Sequence, residues 1–567
     1  MNIKAILLGT AACAVLAAPA FAQEVAAADA PKPHHHHHQA ATTGSDRLDL
    51  LEKRVEQQAD EIDALKAQIN GAPASGNVSS AEFEALQNQV YETQAAVKSA
   101  STPKDKKIHF KGVTVTFGGF AAAESVYRSA NEESDIGSNY TKIPFSGPGY
   151  SGSPTSLSSS VSAGHMGEFR MTARQSRISG LAEGNFDADT HFTYYGEFDF
   201  LGAAQTANSG ESNSYQPRIR NLYGTVDWSN LGLEFLYGQS WSLVTLTGKG
   251  MSERTEMAPP TIEAQYVPGF DWKRQPQLRI VKDFDDQVWL GLSVENPQTS
   301  YGGNAPSNVG LVTGSTGVAE LSNANTFSFN HIPDVIGKIA VEPDMFDHNV
   351  HLEAFGIYRD FYDRSAPGTT PTSVATVVNR DTGAGGVGAA ALIKVIPGWF
   401  DLQADGMFGS GIGSYGAGQL PDATYGYNGQ PKALKENMEM VGATLHATHD
   451  LDIYVFGGQE QDDHSSFGSK YGYGNPLVDN RGCYSFAANS SSASTYGCTA
   501  NVKQVEQITA GLWDTAYSGD FGKFKIGLQY SYTELKAFGG DDAGGSAMLA
   551  PHTKDNMIFT SFRYYPF

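Results

Sequence analysis

The sequence predicts an all-β transmembrane barrel of about 16 antiparallel strands, preceded by an N-terminal α-helical coiled-coil segment. Three observations lead there. The chain opens on an export signal, its long C-terminal part alternates apolar and polar residues with a period of two, and its connections alternate between tight turns and long Gly/Ser/Asn-rich stretches. An exported chain with no apolar helix downstream is periplasmic, secreted or a barrel. Segments of roughly ten residues with one apolar face favour the barrel over a soluble sandwich, whose strands run shorter.

Residues 1–22 carry Lys4, an apolar run from Ala5 to Ala18, and Ala20-Phe21-Ala22 as a cleavage site. That is a secretory signal peptide, too short to span a bilayer as a helix. Cys13 lies inside it behind Thr10-Ala11-Ala12, without the Leu that lipoprotein signals prefer, so no lipid anchor is expected. Sixty-one Asp and Glu against 39 Lys and Arg give a net charge of -22, with no basic stripe, which disfavours nucleic acid as a partner. The mean hydropathy of -0.32 excludes nothing, because alternation dilutes a barrel's apolar face.

Residues 23–44 are rich in Ala, Pro and His and read as a disordered linker. The run His34 to His38 within them is either a natural tract, which could chelate zinc or nickel weakly, or an engineered tag, and no metal ligand is assigned from it. Residues 45–100 carry a heptad stripe, Leu48, Leu51, Val55, Gln58, Ile62, Leu65 and Ile69, resuming at Phe83, Leu86, Val90, Thr93 and Val97 after a break near 71–79. Helices this short are marginal alone, and the charged residues leave only a narrow apolar seam. A periplasmic coiled coil is the expectation. Residues 101–110 read as a second linker and 111–567 as the barrel.

Within 111–567, Phe192, Tyr194, Gly196, Phe198 and Phe200 oppose Thr193, Tyr195, Glu197 and Asp199. Val288, Leu290, Leu292 and Val294 oppose Trp289, Gly291, Ser293 and Glu295. The last segment sets Ile558, Thr560, Phe562 and Tyr564 against Phe559, Ser561, Arg563, Tyr565 and Phe567, a strand with aromatics where an interfacial girdle sits. Cys483 and Cys498 lie in a Gly/Ser/Asn/Tyr-rich loop and, in an oxidising compartment, read as one disulfide. A metal site would need partnering His or Cys at ligand spacing, which the sequence lacks.

No catalytic spacing stands out. Gly411-Ile412-Gly413-Ser414-Tyr415-Gly416 matches G-x-G-x-x-G, but no βαβ pattern surrounds it, so it reads as loop glycine. Neither an enzyme nor a cofactor is expected. Basic residues are scarce, so their grouping carries information: Arg170, Arg174 and Arg177, then Arg218 and Arg220, then Lys273, Arg274 and Arg279. An arginine on the lipid face near mid-membrane costs about 2–4 kcal/mol, so strand arginines should face the lumen or an interface. Parity sets Arg170 and Arg174 opposite Phe169 and Met171, whereas Arg177 has the other parity and needs a bulge or a strand end. Convergent guanidiniums in a narrow pore attract carboxylates and grip them bidentately. The alternative is ordinary pore arginines neutralised by lumen acids such as Glu197 and Asp199.

The runs Arg174-Gln175-Ser176-Arg177-Ile178-Ser179-Gly180, Gly196-Glu197-Phe198-Asp199-Phe200, Arg218-Ile219-Arg220-Asn221-Leu222-Tyr223-Gly224 and Gly238-Gln239-Ser240-Trp241-Ser242 resemble, in order, the DcaP-like trimeric outer-membrane porin family. Gln265-Tyr266-Val267-Pro268-Gly269-Phe270 fits as well. The resemblance implies a homotrimer of 16-stranded barrels with a periplasmic coiled coil, passing small anions such as dicarboxylates. It also implies a Gram-negative outer membrane, with lipid and lipopolysaccharide around the barrel and cell wall within reach of the coiled coil. The Cys-bearing loop and the His tract depart from the family and leave the solute open. Three other readings stand beside it: a phosphate-selective-type porin, an envelope-tethering barrel whose pore is incidental, and an outer-membrane hydrolase. The first of these relies on lysine ladders, and lysine is sparse here.

Overall fold

In a computed structural model of the chain, the described residues are 107–567 apart from 133, 146–165, 203–214, 308, 312–327, 329, 346–347, 368–376, 469, 481–482, 484–497 and 542–547. The signal peptide, both predicted helices and the His tract lie outside them.

Period-two alternation makes strands, and here they close on themselves. The main sheet holds 20 hydrogen-bonded stretches. Three of these are short annexes (Lys107–Phe110, Val309–Leu311 and Asp344–Met345) and two others form one interrupted strand, leaving sixteen spanning strands among the described residues. In chain order they are β1 Val113–Arg128, β2 Glu168–Thr172 with Arg177–Asn185, β3 Thr190–Asp199, β4 Arg218–Trp228, β5 Leu233–Trp241, β6 Arg274–Phe284, β7 Val288–Glu295 and β8 Asp334–Val341. The second half comprises β9 His348–Pro367, β10 Val378–Ile396, β11 Phe400–Ser410, β12 Lys435–His446, β13 Leu451–Asp462, β14 Val502–Gly519, β15 Gly522–Ala537 and β16 His552–Tyr565. Each pairs antiparallel with its neighbours, and β16 pairs back onto β1 from Ala121↔Tyr564 to Arg128↔Met557. That seam leaves no free edge. Lys107–Phe110, within the stretch read as a linker, instead pairs with the start of β1.

Turns such as 229–232, 285–287 and 447–450 close one end, and long connections such as 242–273, 411–434 and 463–501 close the other. In outer-membrane barrels the short-turn end faces the periplasm. The faces separate as the alternation requires. Leu290 and Leu292 are about half exposed outward while Trp289 just before them is buried inward. Phe186, Phe284, Trp399, Phe521 and Tyr564 project outward near the short-turn end, and Tyr127, Phe169, Tyr237, Tyr358 and Phe408 nearer the other. These are two aromatic girdles. Above the apolar rows on β12–β15 runs an outward polar ladder: Asn437 and Gln459 donate to Glu439, Gln504 donates to Gln459 at 2.6 Å, and Lys536 lies 2.7 Å from Glu506. It marks the outer edge of the apolar band.

The core lies in the lumen. Two apolar clusters fill it, one built on Val126, Ile262, Val267, Phe270, Tyr454 and Phe559, the other on Leu243, Val244, Met251, Trp289, Ile336 and Met407. Both are seeded by the connection 242–273, which folds inward instead of over the rim. Cys483 and Cys498 are joined by a disulfide with an S–S distance of 2.07 Å, in the long connection after β13.

Candidate functional site: an arginine-lined cavity under the inner loop

The inner loop 242–273 leaves the wall after Trp241 and returns before Arg274. Its base is closed by the Ser242 amide, which donates to the Lys273 carbonyl at 2.8 Å. From there it is fastened around the lumen by wall side chains. The Leu243 amide donates to Glu295, the Thr247 amide and hydroxyl to Glu353, and the Gly250 amide to Glu342. Further on, Gln403 donates to the Met257 carbonyl, Trp513 to the Pro260 carbonyl, and the Ile262 and Gly269 amides to Gln529 and Glu460. A buried backbone group must find a partner, and these carboxylates, amides and the Trp513 indole supply partners on six different strands and the turn that carries Glu342.

Beneath the loop, toward the short-turn end, lies a cavity of about 530 Å³. Arg177, Arg220, Arg563, Lys525 and Arg254 line it together with Tyr195, Tyr223, Trp241, Tyr266 and Trp513. Glu197 and Asp199 on β3 hold the guanidiniums in position. Arg220 donates to Glu197 and, at 3.2 Å, to Asp199, while Arg218 grips Asp199 bidentately at 2.7 and 3.0 Å. Arg177 stands 3.9 Å from Glu197. Arg274 lies over Trp241 and Trp272, about equally far from each ring centroid at 5.1 and 5.0 Å. Arg563 donates to Glu124 at 2.8 Å and covers the Trp513 ring. Five cations line the cavity itself, Arg177, Arg220, Arg254, Arg563 and Lys525, and so do five carboxyl groups, Glu197, Glu256, Glu263, Asp401 and Asp452. Arg177 Nε and Arg274 Nη1 are buried without a hydrogen-bond acceptor among the described residues. A buried donor left unpaired costs about 1–3 kcal/mol, so these two donors are poised to accept an anion.

Of the residues singled out from sequence, Arg177, Arg218, Arg220 and Arg274 come together. Arg177 faces inward because β2 is interrupted between Thr172 and Arg177, which inserts one extra residue opposite β1 and reverses the parity. The other four go elsewhere. Arg170 is half exposed and lies 3.5 Å from Glu168, at the long-loop end. Arg174, inside the interruption, pairs with Asp135 and stacks on Tyr215. Lys273 donates to Ser414 at 3.0 Å against the Tyr415 ring, and Arg279 is tied to Gln277, to the Trp241 carbonyl and to Glu253. Sequence reasoning missed Arg563, which shares its strand face with the inward Ser561 and Phe559. It also missed Tyr266 and Trp272, which no periodicity marks. Among the described residues no group of three or more His, Cys, Asp or Glu is placed to hold a metal ion.

Glu256, on the loop and in the cavity wall, is a titrating group. Burial lifts its carboxyl to about 7, against the pull of backbone hydrogen bonds and of Arg279 and with the push of Glu253. It is neutral below that pH and anionic above it. The reversal potential should therefore shift in the anion direction as pH falls from 8 to 6, and the amplitude of that shift should shrink in Glu256→Gln. An unchanged amplitude would assign the titration to another group.

A closed sixteen-stranded barrel with girdles, one-sided long loops and an inner loop over a charged lumen defines a porin-type barrel of the Gram-negative outer membrane. No family model and no curated protein sequence matches the chain. Solved structures do. The outer membrane channel DcaP of Acinetobacter baumannii matches with a TM-score of 0.52 at 16% identity, over 81% of this chain and 99% of that one. An anion-selective porin from Comamonas acidovorans matches with a TM-score of 0.41 at 10% identity, over 80% of this chain and 99% of that one. OmpF of Salmonella typhi matches at 0.40 and 12% identity, over 81% of this chain and 100% of that one. At such identities the DcaP match establishes the fold, and the function has to be argued from the site.

Proposed function

We propose that this chain is an outer-membrane diffusion porin of the DcaP-like kind, passing small hydrophilic solutes and favouring small organic anions such as dicarboxylates. The observation that carries the reading is Arg177 and Arg220 in the cavity wall beneath the inner loop, with Arg274 behind them over the lining Trp241, and with Arg177 Nε and Arg274 Nη1 unpaired among the described residues. A carboxylate offers two oxygens to such a set, and guanidiniums bind carboxylates in that forked geometry. A dicarboxylate adds a second charge within reach of Arg563 or Lys525. The phosphate-selective alternative draws less support, since Lys525 is the single lysine lining the cavity among the described residues. In this reading three copies assemble side by side, lipopolysaccharide surrounds the barrels, and residues 45–100 form the periplasmic coiled coil that joins them and approaches the cell wall.

The test is single-channel recording of the purified mature protein in a planar bilayer under a salt gradient. Three-step openings with an anion-favouring reversal potential are expected. A cation-favouring potential would sink the arginine reading, and insertion without conduction would leave the tethering role.

A further inference from the structure

His351 is buried on the inner face of β9, a few residues after the turn that joins it to β8. Both of its ring nitrogens face a carboxylate. Nδ1 lies 3.1 Å from Glu342 Oε1 in that turn, and Nε2 lies 2.9 Å from Glu353 Oε1 on β9. The same two oxygens hold the inner loop. Glu342 Oε1 accepts from the Gly250 amide at 2.7 Å, and Glu353 Oε1 accepts from the Thr247 amide at 3.1 Å. Lys338 on β8 completes the group: it pairs with Glu353 and donates to the Thr245 carbonyl at 2.8 Å. Beyond Lys338, Arg279 on β6 and Glu256 on the loop border the same small void. Three loop fastenings, at Thr245, Thr247 and Gly250, thus run through one cluster centred on an imidazole.

An imidazole donates from both nitrogens only as the imidazolium. In the neutral ring one nitrogen carries a lone pair, which here would point at a carboxylate oxygen with no proton between them. The charge count agrees. Glu342 and Glu353 bring two negative charges and Lys338 one positive, so the imidazolium leaves the buried cluster neutral. We propose that His351 is a positioning residue of the pore: its second proton fastens the inner loop, and deprotonation releases the loop at Gly250. The two arms are unequal. Glu353 is fully enclosed and paired with Lys338, whereas the Glu342 side chain is 25% exposed and can turn to water. Loss of the proton therefore breaks the Glu342 arm, and the Gly250 amide loses its acceptor. Shortly after Gly250, Arg254 and Glu256 line the cavity, so freeing this segment displaces charged groups in its roof. Imidazoles exchange protons in the physiological range, and the pore thereby responds to pH on the short-turn side. The inference is independent of which ions the channel favours.

The test is hydrogen exchange of the loop peptide carrying Gly250, read by mass spectrometry on the full-length mature barrel in detergent. Protection is expressed relative to the intrinsic exchange rate at each pH. Between pH 6 and pH 9 the wild-type Gly250 amide should lose protection on the order of tenfold, the effect of one charge-assisted hydrogen bond. His351→Phe keeps a flat ring without the proton, so protection should be low at both pH values. Glu342→Gln keeps an oxygen for the Gly250 amide and adds an N–H that can donate to the neutral ring, so protection should stay high at both. Glu256, which titrates on the same loop, is present in both variants, and a fall caused by it would survive there. Wild-type protection that does not fall with pH overturns the proposal, and so does a pH-dependent fall that persists in either variant. Should His351→Phe fail to fold, Glu342→Gln decides alone. Exchange is read whether or not the pore conducts, so this result stands apart from that of the porin reading.

Discussion

If the proposed anion preference rests on Arg177 and Arg220, replacing both by glutamine should turn the channel cation-favouring. The two changes remove two positive charges and leave Glu197 without the guanidiniums that now neutralise it. Asp199 keeps only the partly exposed Arg218. A unit charge about 6 Å from a passing ion is worth roughly 3 kcal/mol at an effective dielectric near 20, and each ~1.4 kcal/mol is a factor of ten in an equilibrium. Two lost cations and one unmasked carboxylate therefore far exceed what is needed to reverse a permeability ratio. Glutamine keeps hydrogen-bond donors near Glu197, so the barrel should still form, as the heat-dependent shift of its band on a gel would report. The deciding number is the reversal potential under a tenfold gradient of potassium chloride. If its sign is unchanged in a folded double variant, these arginines do not set selectivity. Arg218→Gln alone should change the potential much less, because that side chain is already partly open to solvent.

Gly269→Val should release the inner loop and raise single-channel conductance severalfold. Gly269 adopts φ +91°, and a Cβ there would overlap the Glu439 carbonyl oxygen of the facing wall. The left-handed backbone alone costs a β-branched residue about 1–2 kcal/mol, and the overlap adds to it. The Gly269 amide also donates to Glu460 at 2.7 Å, a bond that cannot survive the displacement. From the opposite side Gly458 makes the same close approach, its Cβ position overlapping the Pro268 carbonyl oxygen, so Gly458→Val should reproduce the effect. Swelling of liposomes in a large sugar would report the wider lumen independently. Ordinary conductance, with the loop still resistant to protease, would mean that its other fastenings hold it without this one.

Much of the barrel is legible in residue order because a strand's two faces meet two different solvents. Leu290, Leu292, Ile558 and Phe562 face outward, and Trp289, Phe559 and Ser561 face inward, as alternation requires. The odd parity of Arg177 announced an irregularity, and the interruption at 173–176 is that irregularity. The inner loop was not legible. Its burial follows no period, since each residue is held by whichever wall group lies opposite, Glu353 for Thr247 or Gln529 for Ile262. For the same reason Lys273 and Arg279 looked like pore residues beside Arg274, yet they are consumed by contacts at the base of the loop. Tyr266 was quoted within a family-like run, but nothing in that run shows that it lines the cavity beside Arg177 and Arg220.

The β1–β16 seam has a kinetic meaning. Ser125 and Thr560 share a hydrogen bond across 435 positions of chain, so the strand that completes the cylinder is among the last to be synthesised and must find one of the first. Contacts of such sequence separation form slowly, because the entropy of closing the intervening chain is lost before they contribute. Until they form, β1 and β16 each expose a row of unpaired backbone groups, and the outward apolar face has no membrane to cover it. The unclosed chain is thus the aggregation-prone species, and it needs protection for as long as the two ends remain apart.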